Sequence, residues 1–154
     1  MTVGCAPILL PACDYVPLRA VLARGRVGPL CRARQGLATW QTERVLAYIE
    51  ARLDMPLRAA ELATVTRLSL SHFSRCFKVT VGQAPHEYVL RRRVERAKRL
   101  MLSDDAVSLA EIALRCGLSD QAHLSRVFRR FVAESPGAWQ RRNRALADTL
   151  LIAP

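Results

Sequence analysis

Part of this chain is written twice, and any fold it takes must accommodate two copies of one unit. Ala60 to Ser69 reads AELATVTRLS, and Ala110 to Ser119 reads AEIALRCGLS, an offset of 50. His72 to Lys78 reads HFSRCFK, and His123 to Arg129 reads HLSRVFR, an offset of 51. The second copy therefore carries one extra residue between the two blocks. Pro85 and Tyr88 are answered by Pro136 and Trp139, again at 51.

Each copy reads as a short helix, a tight turn and a longer helix. In the second, Ser108 and Glu111 form a capping box ahead of a helix over about 109–116. Leu109, Ile112, Ala113 and Cys116 recur there at helical spacing, and the small Ala113 lets a neighbouring helix come close. Gly117 suits the left-handed residue that ends such a helix. Ser119 or Asp120 caps the next helix, whose Leu124, Val127, Phe128 and Phe131 recur at steps of three and four. Gln121, Ala122, Ser125, Arg126 and Arg129 lie between them and point outward.

In the first copy, helices over about 59–66 and 70–79 bury Phe73, Cys76 and Phe77 and expose Ser71, His72, Ser74, Arg75 and Lys78. Arg67 stands where the second copy has Gly117. A left-handed non-glycine residue costs about 1 kcal/mol, so a strained or differently shaped turn is expected. A polar, Arg-bearing face on the second of two such helices is what a major groove admits.

Between the copies, Gly82 ends one helix and Pro85 suits the first turn of another, over about 84–103. Its apolar stripe is Leu90, Val94, Ala97 and Met101. Its other faces carry Arg91, Arg92, Arg93, Arg96, Lys98 and Arg99, part of them a solvated face with Glu95 pairing locally. Twenty helical residues span about 30 Å, close to the ~34 Å between successive major-groove openings. The long helix thus reads as a spacer between two reading heads. Trp40, Val45, Tyr48, Ile49 and Leu53 stripe a further helix over about 40–53, closed by Asp54, Met55 and Pro56. Pro136 starts a short helix through about Asn143, followed by a tail.

Net charge agrees with this pattern. The chain of 154 residues carries +11 at pH 7, and all its basic residues except Lys78 and Lys98 are arginine. That excess favours a polyanion, nucleic acid before an acidic membrane surface. No run of apolar residues reaches the length of a membrane span, and PILLPA lacks a basic flank for a secretory signal. Cys5, Cys13, Cys31, Cys76 and Cys116 form no CxxC pair, which suits a reducing, cytoplasmic setting, and a DNA partner would make the chain nucleoid-associated. Residues 1–36 hold four of the eight prolines and four of the seven glycines. They are expected to form a poorly ordered arm beyond a possible short helix at Leu18 to Ala23. A remnant of an upstream domain or a basic extension touching DNA are the other readings left open.

LSLSHFSRCFKVTVGQAPHEYVLRRRVERAKRLM, from Leu68, and SLAEIALRCGLSDQAHLSRVFRRFVAESPGAWQRR, from Ser108, together resemble the DNA-binding region of the AraC/XylS family of bacterial transcription regulators. The likeness runs from about Trp40 to Asn143. It includes the Asp120–Gln121 turn and the Ser135–Pro136 close. Departures are Arg67 at the usual turn glycine, Leu118 and Leu124 at common phenylalanines, Ala133 for a glycine and Gln140 for an arginine. Arg67 and Ala133 put turn geometry in question, and Gln140 would remove a cationic contact.

The resemblance implies an all-α, homeodomain-like fold of about seven helices. Two helix-turn-helix subdomains, over about 57–80 and 108–132, would lie within a DNA-binding domain over 38–145, with an arm over 1–37 and a tail over 146–154. It implies double-stranded promoter DNA as partner, with RNA polymerase as a second, and usually activation. Most members also carry an effector or dimerisation domain, for which thirty-six residues are too few.

Expected base contacts are Ser71, Ser74 and Arg75 from the first head and Gln121, Ala122, Ser125 and Arg126 from the second. An arginine reads guanine O6 and N7 through a bidentate pair, although phosphate contact is the alternative for Arg75 and Arg126. Lys78, Gln83, Arg129, Arg130 and Ser135 suit phosphates, and the helix starts near Gln83 and Ser135 offer backbone N–H groups as well. His72 and His123 flank the groove or pack locally. No catalytic residue, metal or cofactor is expected, and binding as a monomer is.

Two other readings compete. Cys76 with His72, or Cys116 with His123, would have to serve as a nucleophilic pair, but no carboxylate orients either. Cys5, Cys13 and Cys31 would have to form the thiolate metal centre of a DNA-repair-linked regulator, but their spacings of 8 and 18 fit no zinc knuckle. A non-specific nucleic-acid-coating protein is the remaining alternative.

Overall fold

A computed structural model describes residues 36–103 and 107–152, with side chains to residue 144. The expected arm and its possible helix at Leu18 to Ala23 lie outside the described residues. Among the described residues there are seven helices and no strand: α1 Thr39–Ala51, α2 Ala59–Val65, α3 Leu70–Val81, α4 Pro85–Ser103, α5 Leu109–Arg115, α6 Gln121–Val132 and α7 Pro136–Ile152. The fold is all-α, with two helix-turn-helix units on either side of α4.

Local chemistry sets most helix ends. Ser69 Oγ accepts from the His72 N–H at 3.4 Å, and Asp120 Oδ1 accepts from the His123 N–H at 2.7 Å. Asp120, not Ser119, is therefore the cap of α6. The extra residue of the second copy is absorbed in the turn just before it. Ser108 caps α5 by accepting from the Glu111 N–H at 3.2 Å. Gly82 ends α3 at φ 85°, and Ala133 ends α6 at φ 64°.

Of the two expectations for the first turn, strain is met and a different shape is not. Arg67 takes φ 57° and Gly117 takes φ 71°. Their hydrogen bonds match: Arg67 N to Thr64 O at 3.0 Å and Leu68 N to Ala63 O at 3.0 Å, against Gly117 N to Leu114 O and Leu118 N to Ala113 O, both 2.9 Å. Arg67 accepts the steric cost because Leu68, like Leu118, packs against its core. The last helix also departs from expectation, continuing to Ile152 rather than stopping near Asn143. No Gly or Pro interrupts residues 144–152, and Ala and Leu there favour helix.

Each unit has its own core. Leu37, Val45, Leu46, Ile49, Leu53, Leu62, Phe73, Phe77 and Val89 fill the first, while Leu90, Val94, Met101, Ile112, Leu124, Phe128 and Trp139 are prominent in the second. The Phe73 and Phe77 rings meet tilted at 5.4 Å, and Phe77 meets Tyr88 edge-on at 5.7 Å. Phe128 and Trp139 meet at 5.8 Å in the other unit. Leu118 and Leu124 are buried at the positions where the family often has phenylalanine.

Candidate nucleic-acid interface

With Phe73, Phe77 and Phe128 buried, α3 and α6 present their polar faces to solvent. Ser71 and Arg75 are exposed on α3 and Ser74 is half-buried; Gln121, Ala122 and Arg126 are exposed on α6 and Ser125 is half-buried. The 51-residue offset pairs Arg75 with Arg126 and Lys78 with Arg129 on the same helical steps. All four are exposed. Arg75 Nε donates to its own helix at Ser71 O, 3.4 Å away. The side chains of Arg126, Arg129, Gln121 and Lys78 make no hydrogen bond or ion pair among the described residues. Arginines held in the open by a packed helix are available to an external acceptor.

One exposed position on this face was not singled out from the sequence. Leu70 opens α3 where Gln121 opens α6, and it remains 48% exposed. Its place one step after Ser69, matched to Gln121 by the repeat, was the signal that would have found it. The first head thus begins with an apolar side chain and the second with an amide.

The expected phosphate set divides. Lys78 and Arg129 sit in the last turns of their helices, exposed. Gln83 is half-buried just before α4, and Ser135 Oγ accepts from the Ala138 N–H at 3.4 Å, which makes it a cap for α7. Arg130 Nη2 pairs with Glu87 of α4 at 2.6 Å, and its Cζ lies 5.5 Å from the ring centre of Phe131. It faces the linker helix, so α6 is tied to the first turn of α4 through it.

The cationic run on α4 is not one solvated face. Arg93 is 8% exposed and Lys98 is 7% exposed. Arg93 Nε donates to Leu53 O at 3.0 Å and Nη2 donates to Met55 O at 2.6 Å. Lys98 pairs with Glu95 at 3.0 Å beneath the Trp139 ring. Arg92 grips Glu50 of α1 with two contacts, at 2.5 and 2.9 Å. Sequence spacing held the clue: Arg93 falls between Leu90 and Ala97, and Lys98 between Val94 and Met101, at steps of three and four. Gln140 donates to Met101 O at 3.0 Å and Arg144 does so at 2.9 Å, so the Gln140 departure serves the C-terminal end of α4.

His123 is held locally. Its Nδ1 lies 3.1 Å from Ser119 Oγ, whose hydroxyl contacts Asp120 Oδ2 at 2.8 Å. The donated His123 N–H and the Ser119 hydroxyl hold the Asp120 carboxyl below its ordinary range. Burial pushes the Cys116 thiol up to about 11 and also raises Cys76. A thiolate nucleophile needs the opposite shift. Among the described residues no three His, Cys, Asp or Glu side chains gather around a common point. Cys5, Cys13 and Cys31 lie outside the described residues.

Two helix-turn-helix units that share a linker helix, each with an open basic face, define a double-headed DNA-binding domain. A helix-turn-helix domain model matches residues 62–142. The chain belongs to the AraC/XylS family, whose members are DNA-binding transcription regulators. It is 40% identical over 93 residues to a probable transcriptional regulator, LumQ, of Photobacterium leiognathi, covering 60% of this chain and 37% of that one. It is 34% identical over 85 residues to the transcriptional activator Btr of Bacillus subtilis, covering 55% of this chain and 16% of that one. The chain therefore spans well under half the length of these relatives. Among solved structures, it resembles the DNA-binding domain of the global transcriptional factor AdpA in complex with a target DNA. The TM-score is 0.63 at 32% identity, over 68% of this chain and 93% of that one. An AraC-type regulator from Chromobacterium violaceum gives 0.61 at 28% identity, over 68% and 92%. Among the described residues no helix is long and apolar enough to cross a membrane.

Proposed function

We propose that this chain is a sequence-specific transcription activator that binds an asymmetric promoter site as a monomer, in the cytoplasm at the nucleoid. In this reading α3 and α6 enter successive major grooves. The observation that carries it is the matched pair of open cations, Arg75 with Lys78 and Arg126 with Arg129, on helices whose opposite faces are sealed into separate cores. At 1.5 Å per residue the 19 residues of α4 extend about 28 Å, compatible with heads about one DNA turn apart.

Arg126 reads guanine through its guanidinium, and Gln121 reads adenine through its amide. Leu70 meets a thymine methyl group in the first head, with Ser71 and Ser74 beside Arg75. Ala122 and Ser125 complete the second head. Lys78 and Arg129 hold phosphates, and Gln83 and Ser135 bring the N-terminal N–H groups of α4 and α7 to the backbone. The activating role is supported by the description of Btr as an activator, and it makes RNA polymerase the second partner.

Selection from a random duplex library tests the reading. Enrichment of a two-part site, bound about a thousandfold or more tighter than scrambled duplex, is expected. Equal affinity for both duplexes would leave non-specific coating of nucleic acid as the function.

A further inference from the structure

Three segments remote in sequence meet at one guanidinium. Leu53 and Met55 belong to the turn that closes α1, with Leu53 sealed into the first core. Arg93 comes from the linker helix and holds both of their carbonyls, at 3.0 and 2.6 Å. Gly117 comes from the turn of the second helix-turn-helix. A Cβ placed on it would lie 2.4 Å from Leu53 O and 2.8 Å from Arg93 Nη2. The reading turn of the second head therefore rests directly on the bond that ties the linker to the first head.

Arg93 is suited to this place for reasons a lysine would not meet. Its planar fork reaches two carbonyls in fixed directions, whereas an ammonium group has no fixed plane. Burial is the main influence lowering its pKa, so the group sits in a poorly hydrated place and depends on those two acceptors. Glu50 with Arg92 and Glu87 with Arg130 tie neighbouring points, but both pairs are more exposed.

The geometry points to Arg93 as the positioning residue that fixes the angle between the two reading heads, and so fixes the spacing between DNA elements that this chain accepts. The proposal rests on the two-headed reading above. Inserting one base pair moves the second element by about 3.4 Å and roughly a tenth of a turn relative to the first. A rigid pair of heads cannot follow that displacement; a pair joined by the linker helix alone follows it in part.

The test uses the full chain and the duplex it selects, together with versions of that duplex carrying one base pair more or fewer between the two elements. Wild type should lose about tenfold or more in affinity on either altered duplex. Arg93→Met, folded as judged by circular dichroism, should bind the selected duplex somewhat less tightly and lose no more than about threefold on the altered ones. A purely structural role would weaken all three duplexes alike and leave the spacing penalty intact, which would overturn the proposal. Should Arg93→Met fail to fold, Arg93→Lys is read in the same way. Selection of a single undivided element by wild type would instead remove the two-headed reading itself.

Discussion

Gly82 and Ala133 occupy the same left-handed position at the ends of α3 and α6, at φ 85° and 64°. The first copy places glycine at this second turn and arginine at the earlier one; the second copy does the reverse with Gly117 and Ala133. Each repeat thus carries one strained turn, in different places.

Ala133→Gly should raise stability by about 0.5–1 kcal/mol, since relief of left-handed strain outweighs the added freedom of the unfolded chain. Gly82→Ala should lower it by a similar amount, because nothing lies within 4 Å of an added Cβ there. Gly117→Ala should cost about 3 kcal/mol or more, as strain and overpacking against Leu53 O combine. Urea denaturation of the three variants checks this order. A Gly117→Ala protein no less stable than Gly82→Ala would contradict the close approach.

Arg126→Ala should reduce affinity for the selected duplex by about 1–3 kcal/mol and relax preference at one or two base pairs. Arg129→Ala should weaken all duplexes alike and lower the slope of log affinity against log salt by about one. Anisotropy titrations on selected and scrambled duplexes separate the two. Equal losses on both duplexes for Arg126→Ala would count against base reading.

Leu70→Ala should matter only where thymine is present. Replacing the thymines of the first element by deoxyuridine removes the methyl groups and nothing else, and should weaken wild type by a few-fold. The Leu70→Ala chain should be indifferent to the exchange. Sensitivity that survives in the variant would assign the methyl contact elsewhere.

Cys116 supplies a pH signature. Its folded pKa of about 11 stands above the ordinary 9.0, so the folded state holds its proton more strongly than the unfolded chain. That stability is fully present below pH 9 and is lost as pH rises toward 11, on the order of 3 kcal/mol in all. Denaturation of wild type and Cys116→Ala across this range should show the smaller decline in the variant. Parallel curves would mean that the thiol is not protected as the fold implies.

Asp120 acts with the opposite sign. Its depressed carboxyl pKa contributes stability above the ordinary carboxylate range, which is lost as pH falls through the folded value. Asp120→Asn keeps a capping oxygen, so its stability should approach that of wild type in acid and differ from it most at neutral pH. A gap between the two that does not change with pH would argue against an ionised cap.

Much of this molecule was legible in one dimension. The repeat, the cap at Ser108, a second cap at Ser119 or Asp120, and the steps of three and four through Phe73, Phe77, Leu124 and Phe128 follow from local backbone chemistry and helical period. Those same steps placed Arg75, Arg126, Lys78 and Arg129 outward, and the family likeness rested on the same residues. Contacts between distant segments were decided by tertiary structure alone. Arg93 and Lys98 looked like surface charges, yet one is buried against the carbonyls of Leu53 and Met55 and the other under Trp139. Arg130 turned to Glu87, and Gln140 to the end of α4. Helical period tells which side of a helix a residue occupies, but only the packing of the other helices tells whether that side meets water, a carbonyl or a ring.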